Sequence, residues 1–196
     1  ESTATYYTEI NRLVNQKKGG NISAPIVMVS VEFEEIVQCQ KQSEWQRAGE
    51  ILAEAGKKLE MIGAEGIVLA TNTMHKVAPQ IERALSIPFL HILDATADAI
   101  KSRGLNKVAL LGTKFTMSDN FYRDGLIVRG ITPIVPNESA QNEIHRIIFD
   151  ELCVGKFLPQ SKAFYLDTIE FLRKQGAEGV ILGCTEIGLL VNQSDF

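Results

Sequence analysis

Two residues of different chemistry, a threonine and a cysteine, follow two copies of one sequence repeat. The copies are residues 63–70 (GAEGIVLA) and 176–183 (GAEGVILG), at an offset of 113 residues, and they are followed by Thr71 and Cys184. A Gly-Ala-x-Gly start is common in α/β proteins, but here the similarity continues through the apolar stretch. We therefore expect Thr71 and Cys184 at the carboxyl ends of two equivalent strands, where parallel sheets bind ligands.

A thiol and a hydroxyl on opposite sides of one cleft suit proton transfer at a carbon atom. One group removes a proton and the other returns a proton to the opposite face. A thiol titrates near pH 8.5 and its pKa can be lowered at a helix N-terminus, whereas a threonine hydroxyl is a far weaker acid. The residue types therefore make Cys184 the stronger candidate catalytic base and Thr71 its weaker partner.

Small polar residues at the ends of three predicted strands are candidates for binding a carboxylate. Helix starts offer unpaired backbone N–H groups and a favourable dipole to an anion. The candidate binding residues are Asn72, Thr73, Thr113, Thr116 and Thr185, and the candidate supporting residues are His75 and Glu186. Each is also a residue type found at N-caps and turns, and their clustering at three strand ends is what favours binding.

Short apolar runs alternate with segments of helical spacing, which indicates an α/β protein. The predicted helices include residues 6–13, 45–62, 77–85, 144–152 and 165–172, and the predicted strands are residues 25–31, 66–70, 88–92, 107–112, 131–135 and 179–183. The uniformly apolar strands are typical of parallel sheets covered on both faces. We expect two Rossmann-like lobes related by a pseudo-twofold axis, residues 1–94 and 95–196, with the active site in the cleft between them.

Composition and charge exclude several classes of protein. A net charge of −4 without a basic patch argues against nucleic-acid binding, and no apolar run is long enough to span a bilayer. Three widely spaced cysteines without a C-x-x-C pair argue against a disulfide framework and a zinc site. We therefore expect a soluble cytoplasmic protein without a metal, a nucleotide or a pyridoxal cofactor. We expect Glu32, Glu34 and Glu35 in a solvated loop and His145 facing solvent.

The polar blocks together resemble the aspartate/glutamate racemase family. The blocks are Thr71-Asn72-Thr73-Met74-His75, Leu111-Gly112-Thr113 with Thr116, and Gly183-Cys184-Thr185-Glu186, and Glu1-Ser2-Thr3 followed by Tyr6-Tyr7 is similar to the tail of the family's Gly-Gly-Met block. The similarity runs essentially end to end. The family's first strand before Glu1 and its last helix after Phe196 are absent from the sequence, and we expect the native chain to extend further at both ends.

The resemblance implies a cofactor-independent racemase, usually a homodimer, that acts on a free acidic amino acid. Most members carry Cys where this chain has Thr71, and the chain is most similar to the Thr/Cys subset, the L-aspartate/glutamate-specific or broad-specificity racemases of enteric bacteria. It implies that the Cys184 thiolate handles the α-proton of one enantiomer and Thr71 acts on the other face. Asn72, Thr73, Thr116 and Thr185 would hold the α-carboxylate.

Two other functions remain open at this stage. Relatives with a single thiol in the cleft are decarboxylases or cis–trans isomerases of small dicarboxylates, and Cys184 alone would serve either reaction. A non-catalytic amino-acid sensor is the third possibility, if Thr71 cannot act as an acid or base.

Overall fold

Parallel strands flanked by helices form two compact units in the computed structural model, which describes residues 2–195. The first unit comprises the chain up to Ala70 together with Met74–His91, and the second comprises Thr71–Thr73 together with the chain from Ile92 onward. Every pair of strands is parallel. The predicted α/β class is confirmed, while the expectations for Glu1 and Phe196 lie outside the described residues.

The first unit contains four α-helices and a short two-stranded sheet within the described residues. Its helices are α1 (Ser2–Lys18), α2 (Phe33–Lys41), α3 (Trp45–Met61) and α4 (Ala78–Ala84), and its strands are β1 (Ile67–Val68) and β2 (Phe89–Leu90). A 3₁₀ helix at Thr73–Val77 precedes α4. The predicted helices at residues 6–13 and 45–62 are confirmed. Side chains of α2, α3 and α4 meet in one apolar core.

The stretch from residue 22 to residue 36 departs from the sequence predictions. The strand predicted at residues 25–31 is irregular backbone, and Val27 and Met28 are exposed, so it lacks the two-sided cover that the prediction assumed. The predicted acidic loop is instead the start of α2, because the Glu32 carboxylate accepts a hydrogen bond from the Glu34 N–H at 3.3 Å and caps the helix.

The second unit is built on a three-stranded parallel sheet with the order β4-β3-β5. Its strands are β3 (Lys107–Gly112), β4 (Thr132–Ile134) and β5 (Gly179–Gly183), and its helices are α5 (Ile92–Lys101), α6 (Lys114–Ser118), α7 (Asn120–Val128), α8 (Glu138–Asp150), α9 (Pro159–Lys174) and α10 (Ile187–Leu190). Short 3₁₀ helices span Leu152–Val154 and Gln193–Asp195. The predicted strands at residues 107–112 and 179–183 are confirmed with the same bounds.

The central strand β3 is buried on both faces. Ala109 and Leu111 pack into a cluster with α8, α9 and α10, and Val108 and Leu110 pack into a second cluster with α5 and α7. Burying an aliphatic side chain of this size stabilises a fold by roughly 1.5–3 kcal/mol. Because helices cover both faces of β3, this strand holds a fixed position in the second unit. Within residues 2–195 no helix combines the length and the apolar character that crossing a bilayer requires.

Both copies of the repeat begin with the same helix termination. Gly63 after α3 and Gly176 after α9 have φ angles of 90° and 95°, which favour glycine. In each case the glycine N–H and the next N–H donate back to carbonyls of the last helical turn, at 2.9–3.1 Å. This is the Schellman arrangement. The glycine exit that the sequence predicts for both helices is confirmed.

The glutamate of the repeat is used differently in its two copies. The Glu178 carboxylate accepts hydrogen bonds from the N–H groups of Asn106 at 2.7 Å and Lys107 at 3.0 Å, which fastens the start of β3 to the start of β5. These two bonds hold the pKa of Glu178 below its ordinary value. Glu65, its counterpart in the first copy, makes no hydrogen bond or ion pair with the described part of the chain.

We expect Glu178→Gln to lower stability at neutral pH and much less in acid. A carboxyl group with a lowered pKa in the folded chain stabilises the fold above its unfolded pKa, and this contribution disappears as the pH falls through the folded pKa. Urea unfolding midpoints of the two proteins, compared between about pH 7 and pH 3, should therefore converge in acid. Glu65→Gln is the matched control and should follow the wild type throughout. A Glu178→Gln difference that stays constant with pH would contradict this account.

Candidate active site

The parallel pairing of β3 with β5 brings two of the predicted polar blocks together. Leu111 is in register with Leu182, and Gly112 with Gly183. Thr113 and Cys184 are the next residues of the two strands, so they leave the sheet side by side at its carboxyl edge. The structure therefore places the Thr113 block and the Cys184 block at the end of the sheet where parallel α/β proteins bind ligands.

The two glycines at this edge are required by close packing. A Cβ on Gly183 would lie 2.9 Å from the Leu111 carbonyl oxygen, and a Cβ on Gly112 would lie 3.0 Å from the Thr116 Cβ. The first distance is shorter than Cβ contacts in real proteins and is to backbone that cannot rotate away, whereas the second is tight and would require Thr116 to shift slightly. The absence of side chains at Gly112 and Gly183 is thus what lets the strand ends and Thr116 approach one another.

Thr113 and Thr116 form the turn that follows β3. Thr113 is the N-cap of α6, and its hydroxyl oxygen accepts the Thr116 N–H at 3.3 Å. The two hydroxyls are 3.3 Å apart, and Thr116 is fully buried against the glycine pair. In this conformation Thr116 shapes the turn and is not reached from solvent. Substrate binding by Thr113 and Thr116 stays a prediction.

Cys184 and Thr185 share one carboxylate oxygen of Glu186. The Cys184 Sγ donates to Glu186 Oε2 at 2.8 Å, and the Thr185 hydroxyl donates to the same atom at 2.9 Å. All three side chains are partly exposed. Glu186 therefore orients both the thiol and the neighbouring hydroxyl, and its supporting role at a site stays a prediction.

The surroundings of Cys184 favour the neutral thiol. Burial raises its pKa most, the negative charge of Glu186 raises it further, and the hydrogen bond that the thiol donates to Glu186 acts in the same direction. The sequence allows for a thiol pKa lowered at a helix start, and the structure does the opposite. The group at this position is a protonated thiol at neutral pH, held against a carboxylate that can accept its proton.

The Asn72 block belongs to the same compact unit as Cys184. Thr71–Thr73 group with the second unit, and the Asn72 Oδ1 accepts a hydrogen bond of 3.1 Å from the Tyr122 hydroxyl. Tyr122 lies on α7 and is 1% exposed, so its phenol is a fixed donor. Sequence reasoning did not find Tyr122, because it stands 50 residues from its partner in a helix that the spacing did not reveal.

His75 belongs to the first unit, whereas the other predicted site residues belong to the second. Its buried ring packs edge-on against His91, with 4.7 Å between the ring centroids, and it also contacts Phe89. The structure thus gives His75 an aromatic environment. Its supporting role at the site stays a prediction.

A different histidine, His145, contacts the turn after β3. Its Nδ1 accepts a hydrogen bond of 3.2 Å from the Lys114 N–H, and its ring packs against Phe149 and Phe115. The prediction that His145 faces solvent is therefore wrong, because the start of α6 covers it. Burial and the charge of Lys114 lower the pKa of His145, which keeps Nδ1 available as an acceptor.

Among residues 2–195 no three or more His, Cys, Asp or Glu side chains are grouped so as to hold a metal ion. The polar groups at the strand ends are one thiol, one carboxylate, several hydroxyls and an amide. Such groups can bind small anions and transfer protons, so the strand ends form a candidate site in a parallel α/β protein.

Comparison with known proteins gives the family. The Asp/Glu/hydantoin racemase family pattern matches residues 1–195, and the chain belongs to this family. It is similar to a crystal structure from Yersinia pestis assigned to the Asp/Glu racemases, with 47% identity, 99% of this chain and 85% of that chain covered, and a TM-score of 0.93. An aspartate racemase homologue from Pyrococcus horikoshii OT3 shares 38% identity over 99% of this chain and 84% of that chain, with a TM-score of 0.85.

A curated relative is matched over less of its length. The glutamate racemase of Lactiplantibacillus plantarum is 26% identical over 126 residues, which cover 63% of this chain and 45% of that protein. The chain therefore spans less than half of this relative. Together the comparisons confirm the predicted family and the predicted parallel α/β fold.

We expect Glu186→Gln to make Cys184 more reactive toward iodoacetamide. Removing the negative charge lowers the thiol pKa by about one unit, so alkylation near neutral pH should become roughly tenfold faster. Burial still acts on the thiol, and its pKa stays above the ordinary value. Mass spectrometry of the Cys184 peptide in a Cys153→Ser background measures the rate. Unchanged or slower alkylation would show that Glu186 does not control the thiol.

Proposed function

We propose that this chain catalyses the cofactor-independent racemisation of an acidic amino acid, aspartate or glutamate, by proton transfer at the α-carbon. The observation that carries the proposal is the Cys184 thiol at a strand end, hydrogen bonded to Glu186 and in the same compact unit as Thr71. Membership of the Asp/Glu/hydantoin racemase family supports the reaction class. The names of the similar proteins support an acidic side chain on the substrate.

A protonated thiol cannot act as a base, so the Cys184 thiol must first lose its proton, and the Glu186 carboxylate is the group that accepts it. In the first step the Cys184 S–H gives its proton to the Glu186 carboxylate across the 2.8 Å hydrogen bond. The thiolate then accepts the α-proton of the substrate and becomes a thiol again. The ammonium group of a bound amino acid favours this step, because a nearby positive charge stabilises a thiolate.

Thr71 supplies the proton on the opposite face of the carbanion. Its hydroxyl becomes an alkoxide, which the proton held by Glu186 neutralises through solvent, so that protons balance over one turnover. A hydroxyl is a much weaker acid than a thiol, and the two directions of turnover therefore differ in rate. We propose Thr71 and Cys184 as the two catalytic residues of an asymmetric racemase.

The α-carboxylate needs donors that stabilise the charge developing beside it, the contribution that is usually largest in catalysis. We propose that the backbone N–H groups at Asn72, Thr73 and Thr185 provide them, with the hydroxyls of Thr113 and Thr116 completing the turn. The side-chain amide of Asn72 is a further candidate donor to the carboxylate. Tyr122 donates a hydrogen bond to its oxygen, and this bond orients the amide NH₂ group.

A second candidate reaction is favoured by the protonation state of Cys184. Decarboxylation of a substituted malonate leaves a carbanion that needs one proton donor, and a thiol whose pKa is raised by burial is such a donor. This reaction does not require Thr71. Product analysis after incubation with a substituted malonate or with maleate distinguishes these reactions from racemisation.

Incubation with each enantiomer of aspartate and glutamate in D₂O tests the proposal. We expect the α-proton signal of at least one of these amino acids to disappear from the NMR spectrum. Cys184→Ala should slow the exchange by about 10²- to 10⁴-fold or more, the usual contribution of a positioned acid or base. Cys153→Ser, which changes an exposed thiol, should retain exchange. No exchange with any of the four substrates, or full activity in Cys184→Ala, would refute the assignment.

The Thr71→Cys variant tests the origin of the asymmetry. A thiol at this position is a far stronger acid than the hydroxyl, so the rates in the two directions should become more equal. Thr71→Ser keeps a hydroxyl and should preserve the wild-type ratio. Initial rates at saturating concentrations of each pure enantiomer, followed by polarimetry, give both ratios, because two enantiomers are equally stable and only kcat, not kcat/KM, can differ between the directions. A ratio that is unchanged in Thr71→Cys would exclude Thr71 from proton transfer.

A further inference from the structure

The ring of His145 contacts the first turn of α6 at two points. Its Nδ1 accepts a hydrogen bond of 3.2 Å from the Lys114 N–H, and the ring packs edge-on against Phe115, with 6.1 Å between the centroids. Lys114 and Phe115 are the first two residues of α6. His145, which lies on α8, therefore holds the start of this short helix from outside.

The backbone that His145 holds belongs to the turn after β3. Thr113 is the N-cap of α6, and its hydroxyl accepts the Thr116 N–H. A helix of five residues has few internal hydrogen bonds, because the first four N–H groups of a helix have no partner within it. The position of Thr113 thus depends on the groups that bind these N–H donors, and His145 binds the donor next to it.

Only one protonation state of His145 can make this hydrogen bond. A neutral histidine has one ring nitrogen that accepts and one that donates, whereas both nitrogens of the protonated ring donate. Once Nδ1 carries a proton, it faces the Lys114 N–H as a second donor and the hydrogen bond is lost. The start of α6 is therefore held by the neutral ring alone.

The groups around His145 favour the neutral ring at neutral pH. Burial lowers its pKa most, the ammonium of Lys114 on α6 lowers it further, and Asp150 on its own helix raises it. The Lys114 ammonium is held 2.8 Å from the Asn142 Oδ1 and 3.7 Å from a Glu138 carboxylate oxygen. The aromatic rings packed on His145 are phenylalanines and carry no charge. A histidine with a lowered folded pKa stabilises the fold above its unfolded pKa of about 6.5, and this contribution is lost as the pH falls through the folded pKa.

We propose that His145 is a positioning residue for the turn formed by Thr113 and Thr116, which its neutral ring holds at Lys114 and its protonated ring releases in mild acid. This deepens the proposed function, because it rests on that turn serving the bound amino acid. Substrate binding then weakens below the pH at which His145 takes up a proton.

Hydrogen exchange of the Lys114 amide, followed by NMR together with the ring signals of His145 between about pH 8 and pH 5, tests the proposal. We expect the protection of this amide to fall about tenfold as the ring takes up its proton, since one hydrogen bond is lost. In His145→Asn the side-chain oxygen takes the place of Nδ1 and does not titrate, so protection should persist at every pH. In His145→Phe the acceptor is missing, and protection should be low throughout.

The Ala140 amide is the internal control on α8. It donates to the Asn137 Oδ1 at 2.9 Å, an acceptor that does not titrate, so its protection should not change with pH. Gln141→Ala is the matched control variant. It removes a different contact between α8 and α6, the hydrogen bond of 2.6 Å that the Ser118 hydroxyl donates to Gln141, and should leave the pH step at Lys114 in place.

Three results of the exchange measurement would overturn the proposal. They are protection at Lys114 that does not follow the titration of His145, equal protection in His145→Phe and the wild type, and a ring that stays neutral down to about pH 5. The measurement needs no substrate, so a protein without racemase activity would refute the proposed function while the contact of His145 would still be decided.

Steady-state kinetics of the active protein test the link to substrate binding. Across the pH step of His145, KM for the amino acid should rise more than kcat falls, because a loosened turn weakens binding of substrate and transition state alike. His145→Asn should remove this step from KM. A KM that shows the same pH dependence in the wild type and in His145→Asn would overturn the positioning role.

Discussion

The in-register pairing of β3 with β5 is the constraint on which the candidate site depends. At its carboxyl end, Gly112 and Gly183 let the strands and Thr116 approach closely, and a Cβ on Gly183 would clash with the Leu111 carbonyl oxygen. At its other end, the Glu178 carboxylate binds the backbone where β3 begins. Because a parallel register is fixed at both ends, Thr113 and Cys184 leave the sheet as neighbours. A shift by one residue would turn Cys184 to the other face of the sheet.

The burial that fixes this pair also sets the chemistry of the thiol. Cys184 packs against the apolar cluster beneath β3 and β5, and loss of solvent raises its pKa more than any other contribution. A thiol with a raised pKa is a stronger base once ionised but is rarely ionised. Enzymes balance these two effects by placing the pKa near the working pH. In the proposed reaction this balance would depend on Glu186 as the proton acceptor and on the charge of the substrate.

The sequence predicts the elements that are buried on both faces and fails where burial is one-sided. Residues 107–112 and 179–183 form strands with the predicted bounds, because their uniform apolar character reflects two covered faces. Residues 25–31 have similar composition but exposed side chains and no strand. Helices α5 and α7 were missed because their buried stripes are short, with Leu93 and Ala97 in one and Tyr122 and Leu126 in the other.

The predicted site shows the same limit for a different reason. Motif residues such as Cys184 and Glu186 are close in sequence, and the contact between them could be expected from spacing. Tyr122 and His145 reach the site from 50 and 31 residues away, through hydrogen bonds to Asn72 and Lys114. No local pattern indicates such contacts, because the tertiary packing of α7 and α8 creates them.

The two copies of the repeat show that similar sequences can be used for different purposes. Both end their helices in the same glycine turn, because that turn depends only on local backbone geometry. Beyond the turn they diverge: the first copy forms a strand of two residues and the second a strand of five residues. The Glu65 side chain makes no hydrogen bond or ion pair within residues 2–195, whereas the Glu178 carboxylate joins the starts of β3 and β5. The longer pairing can hold a side chain at its end in a more fixed position, and Cys184, the proposed stronger acid–base residue, follows this second copy.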